Sequence, residues 1–347
     1  MQLISTLVYG RNLDGITALN KDDVLHVYDI FDQAYVDEVV SQKGTPGAII
    51  SDHLTVTPPY SNPIPFYGPS LWVAKEQLHL IKHCKLDDIM VTSNCFNFMI
   101  NKKLMNRYLC IKLVQHFKLS NYDYTFSDAF QYADMSDILS ELNSLGDQAP
   151  LDQATRGFLL SPIKFNKRFI GESTATPNEH YAITYSNNQT SWNQGLSKVF
   201  SQSAISLITE SVDYHKTSCF TEKTLFSLLG LTFPIWVGGQ NQATQWKNLG
   251  FDTFDDIIDH SYQSYDTLIE RCYYAFERNL DLLSNKAKAT ELRLQCEDRL
   301  RNNRDLLLND HFGTVVRNQI SKYPVEIQSC IPEIMAIYFP ELLPKTT

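Results

Sequence analysis

The sequence predicts an α/β protein of two Rossmann-like lobes, the first one small, with a helical region toward the C-terminal end. Three observations carry this expectation. Short apolar runs of strand length alternate with stretches of helical period up to about residue 262, which is the alternation of a doubly wound sheet. Pro58, Pro59, Pro63, Pro65 and Pro69 interrupt it with a rigid connection. From residue 263 onward the strand-like runs give way to long charged helices.

The first lobe is expected over 1–87. Leu3 to Val8, Val24 to Tyr28 and Ala48 to Ile50 read as strands, and Gln33 to Gln42 reads as a helix between two of them. The prolines fix φ and withhold backbone N–H groups, so their segment is nonhelical. Its Tyr60, Phe66, Tyr67 and Trp72 read first as packing residues and second as the lining of an acceptor cleft.

The second lobe is expected over 88–262, with strands at 89–92, 122–126, 181–185, 205–209 and 233–237. Asn101 to Phe117 carries Leu104, Tyr108, Ile111, Leu113, Val114 and Phe117 near helical period, with Arg107 and Lys112 interleaved. Residues 128–200 form a long polar insertion, with a helix over Asp134 to Leu145 and a loop over Ile170 to Pro177; insertions of this length are functional or disordered. The remainder, 263–347, is read as helices over Tyr265 to Leu283 and Lys286 to Leu308. Leu292, Cys296, Leu300 and Leu307 make one apolar stripe in the latter, with Arg293, Arg299, Arg301 and Arg304 on a polar surface. Packing across both lobes is the plain reading of the stripe and a homo-oligomer contact the sharper one.

Composition narrows the function classes. A chain of 347 residues with 43% hydrophobic content can bury two moderate cores. No run approaches the roughly 20 apolar residues of a membrane span. Met1 to Gly10 lacks the charged start and long apolar stretch of a secretory signal, so a cytoplasmic location is expected. The net charge of −9 disfavours broad attachment to nucleic acid or anionic lipid, although local patches such as Lys102, Lys103 and Arg107 leave a nucleic-acid acceptor open. The seven cysteines are odd in number and lack paired metal spacing, which reads as buried reduced thiols without a metal site.

The chemistry is concentrated in Ser218-Cys219-Phe220-Thr221-Glu222-Lys223-Thr224, which enters the apolar stretch Leu225 to Leu231 and then Thr232 to Gly239. An acid and a base stand side by side at the opening of a helix, where α/β proteins hold nucleotides. Glu222 can accept hydrogen bonds from a ribose diol, while Lys223 and the helix start can neutralise a diphosphate. The plain alternative is a helix start with Thr221 as cap and Glu222 favoured by the dipole. A second segment supports the functional reading. Asp88 to Cys95 reads as a short strand ending in small polar residues, and the helix that follows carries Arg107, whose guanidinium can grip a pyrophosphate in bidentate fashion.

Taken together, Ser93-Asn94-Cys95, the Arg107-bearing helix, Ile205 to Ser211 with Asp213-Tyr214, and Phe220-Thr221-Glu222-Lys223 resemble the α-1,3-fucosyltransferase family and the fucosyltransferase-like glycosyltransferases of viruses and bacteria. Leu249 to Asp256 with Asp259 to Tyr262 is similar to a recurrent segment of the latter group. The resemblance covers roughly 88–262 and implies the GT-B architecture, with the donor site in the second lobe. It implies transfer of a sugar from a nucleoside-diphosphate sugar to an acceptor hydroxyl, with inversion and without a metal or other cofactor. It assigns the ribose hydroxyls to Glu222, the diphosphate to Lys223 and Arg107, the vicinity of the transferred sugar to Glu210, and the pocket lining to Thr221, Ser93 and Asn94. Ser211 to Phe220 departs from the family's compact asparagine-containing version, so its preference for guanosine diphosphate and fucose does not carry over.

Inversion needs a base to deprotonate the acceptor. Asp52 and His53 follow Ala48-Ile49-Ile50 at the carboxyl end of a strand, and Asp29 and Asp32 stand in an equal position after Val24 to Tyr28; Asp52 is the choice among them. The acceptor is expected to be a glycan or another hydroxyl-bearing molecule. The alternative function is a nucleotide-sugar-binding or assembly protein without catalysis; a phosphorylase or epimerase in the same cleft is a third.

Overall fold

The structure, a computed structural model, describes residues 2–5, 15–27, 33–51, 54–55, 64–68, 70, 73–74, 77, 84, 86, 92–100, 104–126, 135–146, 151–161, 192–210, 217–218, 220–309 and 311–338. The chain opens with β1 (Gln2–Ser5), β2 (Asp23–Val27), α1 (Gln33–Lys43), β3 (Ala48–Ser51), β4 (Leu54–Thr55) and β5 (Phe66–Tyr67). These belong to one compact unit made of Met1–Leu78, Lys216–Phe220 and Asp310–Thr347. It holds an all-parallel sheet in the order β1-β2-β3-β5. Leu25 and Val27 of β2, Ile49 of β3 and Val36 and Val39 of α1 form its core, the two valines three apart and therefore on one helical face.

The other unit, His79–His215 with Thr221–Asn309, begins with β6 (Asn94–Ile100), α2 (Met105–His116), β7 (Tyr122–Phe126), α3 (Ser136–Gly146), α4 (Gln153–Leu159), α5 (Ser197–Ser201) and β8 (Ser203–Ile208). Next, β9 (Thr217–Ser218) pairs antiparallel with β4 inside the first unit. The second unit resumes with α6 (Glu222–Leu229), β10 (Phe233–Trp236), α7 (Gln242–Asn248), α8 (Leu268–Arg278), α9 (Leu280–Ser284), α10 (Lys286–Gln295) and α11 (Glu297–Leu308). The chain ends among the described residues with α12 (His311–Ile320), α13 (Val325–Gln328) and α14 (Ile331–Tyr338), which belong to the first unit. The architecture is thus α/β with two parallel sheets, and neither unit is one continuous stretch of chain.

The second sheet is also all parallel, in the order β10-β8-β6-β7. Every residue of β6, β8 and β10 is buried, as expected of parallel strands covered on both faces. On one face Phe96 stacks on Tyr122 at 5.3 Å and Phe98 on Tyr124 at 5.6 Å between ring centroids. α2 is buried from Met105 to Val114 and packs against α4 and α8.

Two sequence expectations are corrected here. The strand before α2 runs over Asn94–Ile100, not up to Thr92 with Ser93 to Cys95 as a turn. Small polar residues suggested a loop, but Asn94 is accommodated inside the sheet by donating from Nδ2 to Asp123 Oδ2 of β7 at 3.2 Å. Residues 88–91, 170–177 and 181–185 lie outside the described residues. The second correction concerns the arginines expected on a polar surface: Arg304 is 6% exposed, and Arg293 is 0% exposed. Its guanidinium donates to the carbonyls of Leu231, Gly230 and Ser201, each at 2.8 Å, and to Thr92 Oγ1 at 3.0 Å. Burial holds its pKa down at about 10, and these acceptors compensate for lost hydration.

The apolar stripe of α10 and α11 goes into the core, with Leu300 and Leu307 buried. Cys95, Cys110, Cys272, Cys296 and Cys330 are free and buried. No described helix is long and apolar enough to cross a membrane.

Candidate functional site

Because β6, β8 and β10 run parallel and side by side, their carboxyl ends share one edge of the sheet. Three helix or loop starts leave that edge. α2 begins five residues after β6, which puts Asn106 and Arg107 in its first turn. Asn106 Nδ2 donates to the Glu210 carbonyl at 3.0 Å, and Arg107 Nη2 to the Thr209 carbonyl at 3.4 Å. Thr209 and Glu210 follow β8 directly, and Thr209 Oγ1 donates back to the Met99 carbonyl of β6 at 3.0 Å.

The second start is α6. Thr221 is its N-cap, with extended backbone, and its hydroxyl oxygen accepts from the Lys223 N–H. The carboxylate of Glu210 lies against this turn. Its Oε1 accepts from the Thr221 N–H at 3.0 Å and from Thr224 Oγ1 at 2.6 Å, and its Oε2 accepts from the Thr221 hydroxyl. Thr224 Oγ1 in turn accepts from Trp236 Nε1 at 3.0 Å, so the ends of β8 and β10 are both tied to the first turn of α6. Lys223 Nζ donates to Glu222 Oε1 at 2.7 Å and to Thr221 Oγ1 at 3.2 Å.

The third is the turn after β10. Gly238 has φ +105°, and a Cβ there would stand 3.1 Å from Asn106 Cβ and 2.9 Å from Leu268 Cδ1. Only glycine takes this conformation at so close an approach to α2. Arg271 of α8 holds the turn by donating from Nε to the Gly238 carbonyl at 2.5 Å, while its Nη1 reaches the carbonyls of Tyr265 and Asp266.

The two carboxylates differ in character. Burial pushes the Glu210 carboxyl up and the nearby charge of Glu222 adds to this, while Lys223 and the threonine hydroxyls oppose it without cancelling it. Glu222 also feels burial, but the charge and hydrogen bond of Lys223, its own backbone N–H and the charge of Arg107 outweigh it and hold the carboxyl below its ordinary value. The Glu222 side chain keeps 20% of its surface open against 9% for Lys223, and Glu210 is 2% exposed. Glu222 is therefore the carboxylate that can meet a ligand.

Of the residues expected from the sequence, Arg107, Glu210, Thr221, Glu222 and Lys223 are brought together. Ser93 and Asn94 are not. Asn94 pairs in register with Ser203 at the start of β8, and the N–H groups of Ser93 and Asn94 both donate to the Gln202 carbonyl. They lie at the amino edge, a strand length of about 20 Å from the carboxyl edge. Glu210 faces α6 with both oxygens occupied and not an open pocket, contrary to the expectation that it would approach a sugar. Asp52, with its alternatives His53, Asp29 and Asp32, lies outside the described residues.

Asn106, Thr224 and Trp236 were missed by sequence reasoning. A signal existed for Thr224, since it follows Thr221 by three and places a second hydroxyl on the same helical face. Elsewhere in this unit, an open cleft of about 740 Å³ is lined by residues that include Ala243, Lys247, Asp255 and His260, none of them from the cluster. Its Lys247–Asp255 ion pair, at 2.6 Å, is exposed and self-neutralising.

Chemically, the cluster offers two buried cations and the positive end of α6 for an anion, beside one partly open carboxylate for hydroxyl groups. No family model and no curated protein matches the chain.

Proposed function

We propose that this chain is a glycosyltransferase that binds a nucleoside-diphosphate sugar at the carboxyl edge of the β10-β8-β6-β7 sheet and moves the sugar to an acceptor hydroxyl. The observation that supports it best is the convergence of Glu222, Lys223 and Arg107 at the start of α6, where parallel α/β sheets receive nucleotides. Glu222, held ionised, accepts the hydroxyls of a ribose. Lys223 and Arg107 offset the diphosphate and the charge that grows on it as it leaves, which is a large catalytic contribution when the cations are fixed beforehand. In this role the chain's own cations serve without a metal ion.

In the reaction the acceptor oxygen bonds to the anomeric carbon as the bond from that carbon to the diphosphate oxygen breaks. The electron pair leaves with the nucleoside diphosphate and the hydroxyl proton passes to a base, for which Asp52 is proposed on its sequence position. In-line attack inverts the anomeric centre. A donor-binding protein without transfer is the second reading, favoured by the enclosure of the Glu210 carboxylate.

The test is thermal stabilisation by a panel of nucleoside diphosphates and nucleotide sugars, with and without a chelator, followed by an assay for nucleotide release with candidate acceptors. Ligand at about 100 times its dissociation constant adds roughly 2.7 kcal/mol. One nucleotide is expected to stabilise the wild type but neither Glu222→Ala nor Lys223→Ala. No stabilisation by any member of the panel sinks the proposal, and binding without turnover selects the second reading.

A further inference from the structure

Two carboxylates converge on one ammonium at the start of α6. Glu222 touches Lys223 Nζ directly at 2.7 Å. Glu210 reaches it through the Thr221 hydroxyl, which accepts from Nζ at 3.2 Å and donates to Glu210 Oε2. Among the described residues, the charged groups that face Glu210 are Glu222 and Lys223 from α6 and Arg107 from α2; β10 adds the uncharged Trp236 indole through Thr224. With Glu210 these described groups are two acids and two bases of no net formal charge, to which a nucleotide sugar would add two negative phosphates.

We propose that capture of a nucleotide sugar's diphosphate by Lys223 is coupled to uptake of one proton by Glu210, which makes Glu210 a positioning residue of the donor site and not a contact to the sugar. The proposal rests on the donor-site reading above. Two of the three Lys223 Nζ donors are spent on Glu222 and Thr221, so a diphosphate gripped by more than one of them draws Nζ away from these partners. Once it turns away, Thr221 Oγ1 loses a donor and Glu210 loses its nearest positive charge. The carboxylate is 2% exposed, so water cannot replace that charge.

A proton from solvent restores the balance. It forms an O–H bond on the Glu210 carboxyl, and this O–H can donate to the Thr221 oxygen that Lys223 has released. The hydrogen bond between the two side chains reverses direction, and the turn keeps its geometry. Burial already favours the protonated form, and the Lys223 charge that opposes it is what the ligand draws off.

Calorimetric titration of the full chain with GDP-fucose, GDP-mannose and UDP-glucose tests this, because a diphosphate diester does not titrate near neutral pH. The same titration in two buffers of different ionisation heat counts protons. For whichever probe binds, uptake approaching one proton per ligand is expected, with affinity rising as pH falls by up to about tenfold per unit. Glu210→Gln is expected to bind without uptake and with a flat profile. Should Glu210→Gln not fold, Thr221→Val severs the same relay and is expected to lower the proton count. Wild-type binding with no proton exchange overturns the coupling and leaves the donor site standing. Uptake that survives Glu210→Gln overturns the assignment to Glu210. Failure of every probe to bind at any pH overturns both.

Discussion

Glu210 Oε1 and Thr224 Oγ1, fourteen positions apart in the chain, stand 2.6 Å from each other, and the same hydroxyl accepts from Trp236 Nε1. One buried carboxylate thereby fixes where α6 begins relative to the ends of β8 and β10. The placement of Lys223 and Glu222 depends on that anchor, since both leave the turn it holds.

Removing the anchor should be costly. Glu210→Ala leaves the Thr221 N–H and two threonine hydroxyls without their acceptor, at about 1–3 kcal/mol for each buried group left unpaired. The expected loss is about 3 kcal/mol or more in urea unfolding, and less for Glu210→Gln, which keeps one acceptor oxygen. An alanine variant as stable as the wild type would show that the anchor does not exist.

The two carboxylates should give stability profiles of opposite slope. Glu210 is raised above its ordinary 4.5 by burial, so its contribution is fully present below about that pH and is lost as pH rises through the folded value. Glu222 is depressed, chiefly by Lys223 once burial is overcome, so its contribution is present above 4.5 and is lost as pH falls through the folded value. The destabilisation caused by Glu210→Gln should therefore shrink as pH rises, and that of Glu222→Gln should shrink as pH falls. Urea midpoints across a pH series decide this, and parallel profiles for the two variants would contradict it.

The sequence made three strands legible through short β-branched, apolar and aromatic runs: Asp23–Val27, Tyr122–Phe126 and Phe233–Trp236 lie within a residue of their expected bounds. It misled at β6, where Asn94 and Asn97 broke the apolar pattern although both are buried. α6 was legible because a capping threonine and an acid precede an apolar run. The enclosure of Glu210 was not, because it depends on two threonines that only the fold brings within reach. Arg293 looked like a surface residue for a similar reason, since its carbonyl partners come from distant segments.

That carbonyl cage carries a prediction of its own. Arg293→Ala strips donors from the Gly230, Leu231 and Ser201 carbonyls and opens a large gap beneath α10, so a loss of about 3–5 kcal/mol is expected. Arg293→Lys should recover little, because a single ammonium cannot reach the same acceptors as a planar fork. Guanidinium unfolding of both variants measures this, and a lysine variant of wild-type stability would refute the geometric argument.

Gly238→Ala probes the link between stability and the proposed site. At φ +105° an alanine is strained, and its Cβ would press on Asn106 Cβ at 3.1 Å and on Leu268 Cδ1 at 2.9 Å. Leu268 can yield at the tip of its side chain, but Asn106 is pressed at its Cβ and must move with α2. Asn106 then loses its 3.0 Å hydrogen bond to the Glu210 carbonyl, and the end of β8 loosens beneath the Thr221 turn. The expected result is a stability loss of about 1–3 kcal/mol together with a smaller thermal shift from the nucleotide sugar that stabilises the wild type. Arg271→Ala frees the same turn from the opposite side by removing the donor to the Gly238 carbonyl, and it should reduce the ligand shift in the same direction. If both variants lose stability while the ligand shift is unchanged, the turn after β10 supports the fold alone and has no part in presenting α2 to the ligand.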